Sequence, residues 1–236
     1  MGHLVLSLRT KWRAWREDRL DRKIGGISLA EVRESRFQDL GAYPTMSAEY
    51  GAIEMMFRIF PLDENDVFVD VGCGFGRVIS WLLLKKAPCR KYYGVELDPD
   101  VAAITAKRFK DYPQVSILNG NILDMLPHDG TVFWLYNPFD VCVLDAFLSK
   151  LESGRETKAY VMYYCDYRAF ALEGRRNWNR LLKDAWRNPP ESRCRGRSGC
   201  TSPTGTEQAL YCSSAVLRDG TGQALDCGSV RLRSDT

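Results

Sequence analysis

The chain has 236 residues, enough for one α/β domain with a sizeable core and marginal for two. Its net charge of +3 and isoelectric point near 8.4 are too mild to argue for a nucleic-acid partner. The eight cysteines are scattered, with no C-x-x-C pair and no short histidine spacing, which reads as free thiols in a reducing cytosol and offers no metal site.

The N-terminal stretch MGHLVLSLRTKWRAWREDRL has a short apolar run and then a strongly charged segment, so it reads neither as a secretory signal nor as a span. Nothing later reaches the roughly 18 apolar residues that a membrane-crossing helix needs, and a soluble cytoplasmic protein is expected. Residues 9–23 form a candidate helix with Leu8, Trp12 and Trp15 on one side and Arg and Lys elsewhere. The expectation is that it packs its tryptophans on the main domain. The alternative is a clamp for an acidic substrate or a membrane surface.

From residue 66 the periods alternate. DVFVDVG (66–72) reads as a short buried strand, and GRVISWLLLKKA (76–87) has the apolar spacing of a helix lying on a sheet. KYYGVEL (91–97) is a second strand, followed by a helix over 98–112 whose Asp98 and Pro99 are start signals. QVSIL (114–118) and TVFWLYNPF (131–139) are the third and fourth strands, and a helix over 141–151 leads to the fifth, AYVMYYC (159–165). Strand and helix taking turns requires crossovers, hence a parallel sheet with helices on both faces, a Rossmann-like α/β fold. In such sheets ligands sit at the carboxyl ends of the strands, which here are Asp70 with the glycines, Glu96, 119–121 and 137–139.

The glycine turn Gly72-Cys73-Gly74-Phe75-Gly76 departs from the dinucleotide fingerprint G-x-G-x-x-G, because Arg77 stands where the third glycine belongs. Asp70 would also place a carboxylate beside a doubly anionic pyrophosphate, so a nicotinamide-dependent oxidoreductase is disfavoured. S-adenosylmethionine, with an ammonium, a sulfonium and no phosphate, suits an acid followed by a bare turn. Glycines at a strand-to-helix turn can also serve the backbone alone.

VFVDVGCGFGRV, YYGVELDPD and NGNILD, in this order and at these intervals, resemble the successive motifs of class I S-adenosylmethionine-dependent methyltransferases over roughly residues 45–165. The resemblance implies that Asp70 and the turn Gly72, Cys73, Gly74 and Gly76 hold the methionine part of S-adenosyl-L-methionine. Glu96 would accept from both ribose hydroxyls, and Asn121 would meet the adenine edge where such families usually have Asp. Asn121 and Asp124 are also ordinary turn formers. Asn137, Pro138 and Phe139 are similar to the Asp/Asn-Pro-Pro-aromatic motif of amino-directed methyltransferases, one proline short, and more distantly to the strand end of Dot1-like enzymes. In that role they orient the amine lone pair; otherwise they form a turn with an aromatic plug. Residues 41–57 would cover the cofactor, with Tyr43 and Tyr50 as candidate pocket walls. His3 and His128 are poorly placed as a general base for an oxygen acceptor.

Past Gly174, isoleucine, phenylalanine and methionine disappear and Arg, Gly, Ser and Thr accumulate. The division expected is thus 1–44, a helical and partly basic segment; 45–173, the cofactor domain; and 174–236, an atypical tail. Residues 208–232 can be read as an antiparallel hairpin around Asp219-Gly220, the alternative being a poorly ordered tail and an incomplete sheet. Methyl transfer to an unidentified acceptor, a small molecule or a protein with nitrogen slightly favoured, is the expected function. A cofactor-binding module without catalysis is the alternative.

Overall fold

The structure is a computed structural model and describes residues 2–153, 159–164, 170–173, 175, 178–180 and 209–213. A long helix α1 (Gly2–Asp21) precedes a segment without regular structure apart from a 3-10 turn at Gln38–Leu40, then α2 (Tyr50–Ile59). The alternating part follows as β1 (Val67–Val71), α3 (Arg77–Leu84), β2 (Lys91–Glu96), α4 (Pro99–Arg108), β3 (Val115–Asn119), β4 (Val132–Tyr136), α5 (Val141–Glu152) and β5 (Ala159–Tyr164). Short elements α6 (Phe170–Glu173), β6 (Trp178–Arg180) and β7 (Ala209–Ser213) close the list.

One sheet runs β3-β2-β1-β4-β5-β7-β6. The first five strands pair in parallel, and β7 pairs antiparallel with both β5 and β6. The order reverses between β1 and β4, so the carboxyl ends of these two strands and of β2 open the crevice in which a doubly wound sheet receives its ligand. The described residues carry the sheet to seven strands. The hairpin reading of 208–232 is corrected in its pairing, because β7 runs along β6, upstream in the chain, while the stretch around Asp219-Gly220 lies outside the described residues.

Why these residues form these strands is visible in their burial. All five residues of β1 are buried, as a central strand covered on both faces demands. Alternation then sorts them: Phe68 and Trp134 face one layer with Ile53, Met56 and Phe57 of α2 and Ile79 and Leu82 of α3. Val69, Val71, Phe133 and Leu135 face the other, against Leu144, Phe147 and Leu148 of α5. Phe57 stacks on Trp134 at 5.6 Å and on Trp81 at 5.5 Å, so one α2 ring joins the sheet to α3. Helix starts follow their caps: the Asp98 carboxylate accepts from the backbone N–H of Asp100 and Val101 with Pro99 in the first turn, and the Asp140 carboxylate accepts from Val143 N–H.

The N-terminal segment is fastened to this body by charge. Asp21, fully buried, accepts from Arg77 Nε at 2.9 Å and Nη2 at 2.7 Å, from the Tyr50 hydroxyl at 2.8 Å and from Leu29 N–H at 2.9 Å. Arg77, the residue that spoils the dinucleotide pattern, is therefore the anchor for a helix 56 residues away in sequence. Packing of the α1 tryptophans on the domain is corrected: Trp12 and Trp15 are 61% and 57% exposed, because the docked face of α1 carries Glu17, Leu20 and Asp21 instead.

Candidate active site

The turn between β1 and α3 owes its shape to glycine. Gly72 has φ 68°, a left-handed conformation, and a Cβ there would lie 2.7 Å from the Cβ of Pro138, so the turn is pressed directly against the strand end of β4. Its backbone donors are committed inside the protein. Gly72 and Cys73 N–H donate to Val95 O, Gly74 N–H donates to Glu96 Oε2 and Gly76 N–H to Cys73 O. A pyrophosphate cradle requires such donors to face the ligand, and these four do not.

Two carboxylates lie beneath the turn. Glu96, 7% exposed, accepts from Gly74 N–H at 2.8 Å and from Asp98 N–H at 2.9 Å. Burial raises its pKa, offset in part by those two donors. Asp70 is buried, and burial followed by repulsion from Glu96 lifts its pKa to about 8. Its Oδ2 is buried with no hydrogen-bond partner among the described residues. Glu96, which lines the cleft at the strand ends, suits a ligand carrying an ammonium and a sulfonium better than one carrying phosphates, and a cation bound nearby would draw Asp70 toward its ionised form.

At the end of β4, Asn137 has φ 42°, an unusual conformation for a side chain that is not glycine and the kind of strain found at working sites. Its Oδ1 accepts from the Tyr163 hydroxyl of β5 at 2.9 Å. Tyr43 N–H donates to Pro138 O, Asp140 N–H donates to Gly41 O, and Ala42 bridges Phe139. Residues 41–43 thereby run along the strand end as a short antiparallel cover, with Thr45 laid over Gly74.

A cleft opens between this cover and the strand ends. Of the residues singled out from sequence, Gly72, Glu96, Asn121, Asn137, Pro138 and Phe139 line it, as does Tyr43. Asp70, Cys73, Gly74 and Gly76 are not in its wall and sit in the layer behind Gly72 and Glu96. Tyr50 is corrected as a wall: its hydroxyl is held by Asp21, under the cover rather than in the cleft. Asn121 turns its amide oxygen to Leu123 N–H at 2.9 Å, and Asp124 is exposed outside the cleft. Sequence reasoning missed Glu34, Phe37, Met46 and Tyr136, which complete the wall from the cover and from the β4 end. Nothing in the periodicity of 30–46 announces them, since that segment takes its path from tertiary contacts such as Arg36 with Asp98 at 2.8 Å.

Residues 69–183 match the family model of the methyltransferase domain. The match covers just under half of the chain. The acids at the strand ends are compatible with S-adenosylmethionine as the methyl-donating cofactor of such a domain. Among solved structures it is similar to an RNA methyltransferase from Salinibacter ruber in complex with S-adenosyl-L-homocysteine, at 23% identity over 50% of this chain and 76% of that one, with a TM-score of 0.43. It is similar to a dimethyladenosine transferase from Plasmodium falciparum at 17% identity over 52% and 44%, TM-score 0.42. Similarity to a geranyl diphosphate C-methyltransferase from Streptomyces coelicolor A3(2) is 18% over 49% and 43%, TM-score 0.41. The chain spans less than half the length of the latter two. No curated protein matches the sequence. No helix among the described residues is long and apolar enough to cross a membrane.

Proposed function

We propose that the chain is an S-adenosylmethionine-dependent methyltransferase acting on a neutral nitrogen of an acceptor that enters the cleft beneath residues 34–46, with Asn137, Pro138 and Phe139 as the acceptor side. The observation that carries the reading is Asn137, held at φ 42° at the cleft end of β4 with its amide oxygen fixed by Tyr163. An amide oxygen can accept from more than one donor, and an acceptor amine whose N–H donated to it would have its own lone pair steered toward the methyl carbon. The cofactor supplies a methyl on a sulfonium whose departure as a neutral thioether needs no acid.

The chain then has to bind, orient and exclude water, which is where most of the acceleration of such a displacement comes from. Glu96 and Asn121 line the cleft where a ribose and a base would lie, while Gly72 lets the turn approach without a side chain; Cys73, Gly74, Gly76 and Asp70 support them from behind. Phe139 and Tyr43 narrow the entrance. The nitrogen must arrive deprotonated, and after transfer its surplus proton leaves to solvent. We assign the working unit to 45–173, the cover to the end of 1–44, and the compartment to the cytoplasm, consistent with a buried free thiol at Cys73.

The test is incubation of the full chain with methyl-labelled cofactor and, separately, amine-bearing peptides, small amines, RNA and hydroxyl-bearing acceptors. Acid- and base-stable label on nitrogen, lowered by about two orders of magnitude in Asn137→Ala with product-cofactor affinity kept within a few fold, is expected. Label on oxygen or carbon, or an Asn137→Ala enzyme with wild-type turnover, contradicts the nitrogen reading.

A further inference from the structure

Helix α1 contributes no residue to the cleft, and its middle stretch lies open. Residues 10–16 are all exposed, and Trp12 and Trp15, among the most apolar-surfaced side chains available, are 61% and 57% exposed within four positions of each other. Two indoles left in water on one helical turn mark a contact surface rather than ordinary surface scatter. The far end of the helix is fixed through Leu20, Asp21 and the Glu17–Arg77 pair, with Arg13 reaching Glu49 at 3.0 Å.

The helical period separates two faces. At about 100° per residue, Trp12 and Trp15 fall within about 60° of each other, and Glu17 and Asp21 fall on the opposite side. The two indoles therefore point away from the body to which α1 is docked. The residues around them are cationic. Lys11, Arg16, Arg19 and Lys23 form no ion pair among the described residues, whereas the acids of the helix are already engaged, Asp18 by Arg22 and Glu17 and Asp21 by Arg77. Arg16 lies 5.9 Å over the Trp12 ring and Arg19 5.5 Å over Trp15, so each indole carries a guanidinium over its face.

We propose that α1 is a docking helix for an anionic lipid surface, lying in the interface plane with Trp12 and Trp15 among the headgroups and Lys11, Arg16 and Arg19 on the lipid phosphates. Tryptophan beside Arg and Lys is the composition that an interface selects, since the indole body is apolar and its N–H and the neighbouring cations stay wet. A helix this charged lies on a bilayer and does not cross it, in keeping with the lack of a spanning helix among the described residues. Single-stranded nucleic acid would stack its bases on open indole faces, whereas Arg16 and Arg19 already lie over the Trp12 and Trp15 rings. The inference is independent of the acceptor.

The test is co-sedimentation of the full chain with phosphatidylcholine vesicles, with or without about 30 mol% phosphatidylglycerol, at low and high salt. Binding to the anionic vesicles, falling with salt, is expected, with a partition at least about tenfold weaker in Trp12→Ala/Trp15→Ala and in Lys11→Glu/Arg16→Glu/Arg19→Glu. These positions are exposed, so the melting temperature of the variants stays near wild type. As a readout needing no variant, brominated phosphatidylglycerol should quench part of the wild-type tryptophan fluorescence. Equal partition on neutral vesicles, no quenching, an unaffected double tryptophan variant, or single-stranded RNA that competes the chain off the vesicles each overturns the proposal.

Discussion

Replacing Gly72 by Ala should strain the junction of the two halves of the site, by an amount the geometry sets. An L-residue at φ 68° costs about 1–2 kcal/mol. The new Cβ would stand 2.7 Å from Pro138 Cβ, well inside contact distance, and crowding of this kind in a packed region adds about 1–3 kcal/mol. The unfolded chain loses about 0.4–1 kcal/mol of conformational freedom, which works the other way. The net expectation is about 2–4 kcal/mol, roughly 5–12 °C in the melting temperature of a chain of this size. Because the steric part is a contact between two Cβ atoms, Pro138→Ala leaves it in place and Pro138→Gly removes it. In a double-mutant cycle by chemical denaturation, Gly72→Ala with Pro138→Gly should therefore be more stable than additivity allows by about 1–2 kcal/mol. A Gly72→Ala chain as stable as wild type, or a cycle that closes at zero, refutes the packing of the turn against the β4 end.

Glu96→Gln keeps the shape but can accept through only one oxygen, so one of the N–H groups of Gly74 and Asp98 faces an amide donor; a loss of about 1–3 kcal/mol and at least tenfold weaker S-adenosylhomocysteine binding are expected by calorimetry. Asp21→Ala leaves Arg77 buried without its carboxylate, and denaturation should show a loss of about 3–5 kcal/mol, whereas Arg77→Met with Asp21→Leu should recover much of it. The pH dependence follows from Asp70, whose folded pKa of about 8 lies above its unfolded value near 3.9. Between these limits the folded chain holds a proton that the unfolded chain has released, so this group's contribution is present below about pH 4 and is lost as pH rises toward 8. Asp70→Asn should flatten the fall in stability between pH 5 and 8 measured without cofactor; parallel profiles would count against a protonated Asp70.

The alternation of periods made the five parallel strands legible, because a buried strand such as β1 and a helix such as α3 have different repeats and each leaves its mark within a few residues. The glycine turn and Glu96 were legible for a related reason: they sit at strand ends, where local sequence and topology coincide. Arg77 was legible only as a departure from a dinucleotide pattern. Its purpose depends on Asp21, a partner no local pattern reveals. The wall residues Glu34 and Phe37 escaped notice because residues 30–46 are held by contacts with Asp98, Pro138 and Phe139 and have no period of their own. The same reasoning explains the misplaced hairpin, in which a turn signal at Asp219-Gly220 suggested a neighbour for β7 that the sheet supplies from Trp178–Arg180. Aromatic residues on a helix suggested packing, yet Trp12 and Trp15 lie on the face that Asp21 turns outward.

The central claim, that an acidic turn at the ends of β1 and β2 receives S-adenosylmethionine, is tested most directly by calorimetric titration of the full chain with S-adenosylhomocysteine and with NAD. Micromolar binding of the former, weakened at least tenfold in Glu96→Ala and absent for NAD, is the expected result. Binding of NAD, or no binding of S-adenosylhomocysteine by a chain whose circular dichroism and cooperative melting show it folded, would contradict it.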